Sequence, residues 1–96
     1  MQINVTGFKL VESHATDRIR VYRDATTMLV AVNGQWTGLG SDTTLVTTTL
    51  KPKVNQVVNA HPSSTNRISV DVNGKVRHLG QTGTQNIYTS VYLPIA

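Results

Sequence analysis

The stretch that most constrains this chain is Arg67 to Leu79, reading Arg-Ile-Ser-Val-Asp-Val-Asn-Gly-Lys-Val-Arg-His-Leu. Ile68, Val70 and Val72 alternate with Ser69 and Asp71, the period-2 pattern of a strand with one buried face. Asn73-Gly74 follows at once, and Asn-Gly between alternating runs is the strongest local hairpin signal. A two-residue turn would pair Val72 with Lys75 and Val70 with Arg77, placing cations on the valine face, because cross-strand partners share a face. A three-residue Val72-Asn73-Gly74 loop with Gly74 left-handed removes that conflict. It sets Val70 opposite Val76, Asp71 opposite Lys75 and Ser69 opposite Arg77.

The rest of the chain has the same character. Gln2 to Val11 reads as one long strand kinked at Gly7, where the apolar phase changes. Glu12 to Asp17 is turn-like. In Arg18 to Arg23, Ile19 and Val21 face inward and Arg18, Arg20 and Tyr22 outward. Asp24 to Thr27 makes a turn into the apolar run Met28 to Val32, as expected in the middle of a sandwich or at a subunit contact. Asn33-Gly34 is a second Asn-Gly turn, and Gly38 to Asp42 has loop composition. Thr43 to Leu50 is β-prone and stops at Lys51-Pro52, since proline removes a ladder donor. Val54 to Ala60 is another strand, His61 to Asn66 a loop, and Gly80 to Asn86 a connection. Ile87 to Leu93 closes the chain, with Ile87, Thr89, Val91 and Leu93 on one face and Tyr88, Ser90 and Tyr92 on the other. This is an all-β domain, a single small β-barrel or sandwich of about eight mostly antiparallel strands.

At 96 residues the chain has room for one core. It lacks cysteine, so disulfides and thiolate metal sites are excluded. No apolar run approaches the ~18 residues of a membrane helix, and no membrane insertion is expected. The net charge of +4 could suit an anionic partner, but a soluble domain with a mild charge excess is the more ordinary reading.

Hydrolytic signatures are missing: no Gly-x-Ser-x-Gly, no His-Glu-x-x-His, no phosphate-cradling glycine loop. His14 and Asp17 lie close in sequence without a nucleophile, and His61 and His78 lack metal-ligand spacing. The expectation is a binder, neither an enzyme nor a cofactor or metal protein. Trp36, the only tryptophan, is either a stacking platform for a sugar ring or an anchor of the core. Arg18, Arg20 and Tyr22 form either an anion-gripping row or a charged strand face. Arg67, Asp71 and Arg77 share a polar face that cross-strand pairing also explains. His61 sits in a loop of the kind that carries binding groups, whereas His78 shares the face of Val70 and Val76 and reads as a buried histidine. Single-stranded nucleic-acid binding is the competing class, but aromatics interleaved with basic residues are confined to the Arg18–Arg23 strand, so no nucleic-acid partner is expected.

Several pieces in order carry a resemblance: Gly7-Phe8-Lys9, Arg18-Ile19-Arg20-Val21-Tyr22-Arg23, Leu50-Lys51-Pro52, Arg67 through Val76, and the tyrosine-bearing last strand. Together they resemble the C-terminal head domain of receptor-binding proteins from siphophage tails, most closely those of phages infecting lactococci. The similarity covers essentially all 96 residues, and the order is more specific than any single motif. It implies a homotrimeric head (residues 1–96) at the tip of a phage tail, binding a saccharide, with or without phosphate, on the host cell wall. It also implies an excised fragment whose N-terminal shoulder and neck, which would join other tail and baseplate proteins, are absent. Sites in that family combine tryptophan with arginine, histidine and aspartate. Chosen by residue type rather than by matched spacing, the candidates are Trp36 for stacking, with His61, Arg67, Asp71 and His78 for hydrogen bonds. The alternative is a structural virion or appendage module with no ligand of its own.

Overall fold

A computed structural model describes residues 7–96. They form eight strands: β1 (Lys9–His14), β2 (Ile19–Arg23), β3 (Thr27–Leu39), β4 (Asp42–Thr47), β5 (Gln56–Asn59), β6 (Arg67–Val70), β7 (Lys75–Leu79) and β8 (Gly83–Pro94). All pair antiparallel, in two four-stranded sheets ordered β1-β2-β3-β8 and β4-β7-β6-β5. The all-β expectation holds as a sandwich of two sheets.

The β6–β7 hairpin adopts the three-residue loop. Val70 pairs with Val76 and Ser69 with Arg77. The Asp71 amide donates to the Lys75 carbonyl at 3.2 Å, and Gly74, at φ +82°, donates to Asp71 O at 2.9 Å. Asp71 Oδ1 accepts from the amides of Asn73 (2.9 Å) and Lys75 (3.1 Å), so its carboxylate is a turn cap. Gly74 has a second reason to be glycine: a Cβ there would stand 2.7 Å from Thr48 O.

The core lies between the sheets. From the first sheet come Ile19, Val21, Met28, Val30, Val32, Ile87, Val91 and Leu93, and from the second Ile68, Val70 and Val76. Each such side chain contributes about 1.5–3 kcal/mol by leaving water. The alternation of Ile87, Val91 and Leu93 against exposed Tyr88, Ser90 and Tyr92 is as expected from the sequence.

Several boundaries differ. The strand from Gln2 begins at Lys9 as far as the described residues go; residues 1–6 lie outside them. Glu12 to His14 are not turn but strand: a bulge at Val11 keeps the β1–β2 ladder running to His14↔Ile19. Asn33-Gly34 is not a turn either. It sits inside β3, whose ladder with β8 runs from Thr27↔Pro94 to Leu39↔Gly83, with Gly34 opposite Ile87. A long partner strand outweighs the local preference of the dipeptide. For the same reason Gly38 and Leu39 belong to β3, and the connection from Gly80 shortens to residues 80–82 before β8. The Val54–Ala60 strand contracts to Gln56–Asn59. Tyr22 points to the outer face as expected but is only 6% exposed, because Leu10 and Leu29 stand beside it across both ladders. The apolar Met28–Val32 run is buried within one chain apart from half-buried Ala31 on the outer face, as befits a central strand.

Both open sides of the sandwich are stitched. On one, the strand-like bridge His61↔Tyr88 and a hydrogen bond from Thr89 Oγ1 to Asn59 O (3.2 Å) join β8 to the end of β5. On the other, the Glu12 carboxylate accepts the amides of Thr49 (2.8 Å) and Leu50 (2.7 Å), fastening β1 to the segment after β4. Paired or covered edges offer few free backbone groups to another chain.

Candidate functional site

The register fixes which side chains share the outer face of the first sheet. Tyr22, Leu29 and Tyr92 form one cross-strand row, Arg20, Ala31 and Ser90 the next, and Asn33 with Tyr88 a third. The isolated bridge extends the third row to His61, whose amide donates to Tyr88 O at 3.0 Å and whose carbonyl accepts from Tyr88 N at 2.9 Å. The middle row is low because alanine and serine are short. The rows on either side rise into rings.

The result is a shallow hollow of about 260 Å³ lined by Ala31, Val32, Asn33, Tyr88, Thr89 and Ser90. Tyr88 and Tyr92 are 44% and 53% exposed, so both present ring surface to solvent. Their Cα atoms are about 13 Å apart at the usual rise of a strand. Asn33 and Ser90 supply donors and acceptors at the floor. Arg20 stands in the Ala31–Ser90 row, with its guanidinium 3.9 Å from the Asp17 carboxylate.

Of the residues proposed from sequence, the fold brings one beside this hollow, though not into its lining. His61 is exposed and sits beside Tyr88, while its peptide bond to Pro62 is cis. Trp36 lies elsewhere and is 7% exposed. Arg18 covers its ring at 3.9 Å, held by hydrogen bonds to the carbonyls of Ala15 (2.9 Å) and Gln35 (2.5 Å). Trp36 is thus a core anchor with a cation stacked on it. Arg67 and Asp71 belong to the other sheet, and Asp71 caps its own turn.

His78 is fully buried. Its Nε2 lies 2.9 Å from Asn66 Oδ1, which also accepts the Gln81 amide at 3.0 Å; the imidazole nitrogen is therefore the donor. Burial pushes the His78 pKa below its ordinary value, against the Gly40 carbonyl and the Asp42 carboxylate, which act in the opposite direction.

Tyr88, Ser90 and Asn33 were not among the sequence candidates. The alternation of Tyr88, Ser90 and Tyr92 was visible, but their aromatic value depends on the floor that β3 places next to them.

A larger hollow of about 370 Å³ lies at the stitched seam, lined by Val11, Glu12, Arg23, Thr49 and Leu50. Its one carboxylate is committed. Burial raises the Glu12 pKa, but hydrogen bonds from His14 and from the amides of Thr49 and Leu50 outweigh it and hold the group below its ordinary value. The Glu12 carboxylate, also paired with His14 (2.8 Å), therefore reads as a latch onto the Thr49 and Leu50 amides. Among the described residues, no cluster of three or more metal-ligating side chains is placed to hold an ion.

No protein-family model matches the chain, and neither a curated protein nor a solved structure matches it.

Proposed function

We propose that this domain is a non-enzymatic adhesion head of a phage tail that binds a saccharide on the bacterial surface through the outer face of β3 and β8. One observation supports this reading above the others: Tyr88 and Tyr92 stand exposed in the rows on either side of the low Ala31–Ser90 row, and Tyr88, Asn33 and Ser90 line the hollow beside it. A pyranose offers an apolar C–H face and a rim of hydroxyls. Tyrosine rings match the first, and short polar side chains match the second. Flat, open sites of this kind bind weakly one at a time. Three copies on a homotrimer would raise avidity by orders of magnitude without new contacts, which is the use of a trimeric tip.

Calorimetric titration of wall polysaccharide fragments from candidate host bacteria tests the reading. Wild type is expected to bind, and Tyr88→Ala and Tyr92→Ala each to weaken binding at least tenfold, about 1.4 kcal/mol. Binding that survives the double substitution unchanged, or a failure of every surface polysaccharide to bind, would overturn it. Sedimentation at micromolar concentration checks the trimer separately: a stable monomer removes the avidity argument.

A further inference from the structure

The chain contains two Asn-Gly pairs, Asn33-Gly34 and Asn73-Gly74, and the fold treats them oppositely. Such a pair is chemically labile: with no side chain on the glycine, its backbone nitrogen can reach the asparagine Cγ and close a cyclic imide. Asn33 and Gly34 lie inside β3, paired with Tyr88 and Ile87 of β8, and the Asn33 amide also donates to Arg18 O at 2.7 Å. An imide holds ψ of its asparagine far from the extended value of a paired strand. Closing one at Asn33 therefore requires the long β3–β8 ladder to open, an event close to global unfolding.

Asn73 is exposed at the tip of the β6–β7 hairpin, where a turn rather than a ladder holds it. The Gly74 amide donates to Asp71 O at 2.9 Å, and breaking that bond frees its nitrogen. Hairpin tips open locally at a small part of the global free energy. A cation stands where the next step needs one. Lys51 Nζ donates to Asn73 O at 3.0 Å, the carbonyl of the same peptide whose nitrogen must give up its proton, and a second bond to Thr48 O (3.3 Å) steadies it there. The anion left by that proton spreads onto the carbonyl oxygen, where the ammonium stabilises it through a charge-assisted hydrogen bond.

We propose that Asn73 is a self-modification site, converted through attack by Gly74 to an aspartyl or isoaspartyl link, with Lys51 promoting the step. Hydroxide takes the Gly74 amide proton, and the nitrogen forms a bond to Asn73 Cγ. The Cγ–Nδ2 bond breaks; the departing nitrogen takes a proton from water and leaves as ammonia, which restores the hydroxide. Water then opens the imide at either carbonyl. Both products add a negative charge beside the Asp71 carboxylate that caps the turn. The isoaspartyl product also routes the chain through Cβ and Cγ, lengthening the loop just where the Thr48 amide is bonded to Gly74 O at 2.8 Å. Asn33, on the lining of the tyrosine hollow, is spared, so the modification leaves that hollow intact.

The test is peptide mapping by mass spectrometry of the whole chain, incubated in mildly alkaline buffer either folded or in concentrated urea. In the folded chain Asn73 is expected to convert about tenfold faster than Asn33 or more, because only its site opens locally. In urea, where both pairs are free, the two rates should converge. Lys51→Met is expected to slow Asn73 about tenfold in the folded chain, the order of one hydrogen bond to a charged group, and to change nothing in urea; Lys51→Arg should keep most of the rate. A lysine that merely clamped the loop would give the opposite sign, since its loss would free the Gly74 nitrogen and speed conversion. Equal rates at the two asparagines in the folded chain, or an Asn73 rate unchanged or raised by Lys51→Met, overturn the proposal. A difference between the asparagines that persists in urea would belong to their sequence neighbours rather than to the fold, and equally overturns it.

Discussion

A Cβ on Gly34 would stand 2.8 Å from both Cγ and Cδ of Arg18. The bare backbone of β3 at that point is what lets the Arg18 stem cross the strand and lay its guanidinium on Trp36, 3.9 Å from the ring centre.

Gly34→Ala is therefore expected to dislodge Arg18 as well as to strain the backbone, since φ at Gly34 is +148°. The combined cost should be about 2–3 kcal/mol. Arg18→Met keeps an apolar stem and loses the cation–π contact, about 0.5–1 kcal/mol, along with two hydrogen bonds. Urea denaturation ranks the two, and a red shift of Trp36 emission in both variants reports the uncovered ring.

Acid should weaken the fold in two stages. His78 has a folded pKa below its ordinary 6.5, so the unfolded chain binds the extra proton; stability is full above that value and falls as pH drops below it. Glu12 has a folded pKa below its ordinary 4.5, so its contribution is present above 4.5 and is lost as pH falls through the folded value. Urea midpoints measured from pH 7 to 3 should decline first below 6.5 and again below 4.5. His78→Gln should flatten the upper stage alone; an unchanged upper slope would show that another group controls it.

Glu12→Gln tests the seam. It converts the bonds from Thr49 and Leu50 amides from charged to neutral and leaves one acceptor oxygen in place of two, a loss of about 1–2 kcal/mol. Hydrogen exchange should separate local from global effects. The Thr49 and Leu50 amides should exchange markedly faster than the general loss of stability predicts, while the Val70 amide follows the global value.

The β1–β2 connection holds three successive non-glycine residues in the left-handed region: Ala15 (φ 54°), Thr16 (57°) and Asp17 (65°). Asp17 repays its conformation by accepting the Ser13 hydroxyl, whereas the exposed Thr16 side chain makes no hydrogen bond among the described residues. Each such residue costs about 1–2 kcal/mol, and a β-branched one sits at the expensive end. Thr16→Gly should therefore raise stability by about 0.5–1 kcal/mol even after glycine's added freedom in the unfolded chain is counted. A lower thermal midpoint would show that Thr16 makes a compensating contribution.

What could be read from sequence was whatever neighbours in the chain determine. The Val72–Gly74 loop followed from one conflict, cations against valines, contained within a single hairpin. His78 was placed inward by the same register and is buried. The identical dipeptide at Asn33-Gly34 misled because its partner, Ile87, is supplied from the far end of the chain. Trp36 was open between sugar platform and core anchor because Arg18 is brought over it only by the β2–β3 ladder. The tyrosine hollow shows the same limit: Tyr88 and Ser90 lie on one strand and their alternation was legible, while Ala31 and Asn33 beside them come from another.

The longest ladder in the molecule joins β3 to β8, with Met28 opposite Leu93, and all of β4 to β7 intervenes between them along the chain. Such a pairing closes a very large loop before any of its contacts reward the closure. The β6–β7 hairpin closes a short loop and can form early, yet the sheet that bears the tyrosines must wait for two distant segments to find each other. Refolding should accordingly run on the millisecond-to-second timescale of chains dominated by non-local pairing. The exposed face of β8 is then among the last surfaces of the domain to take shape.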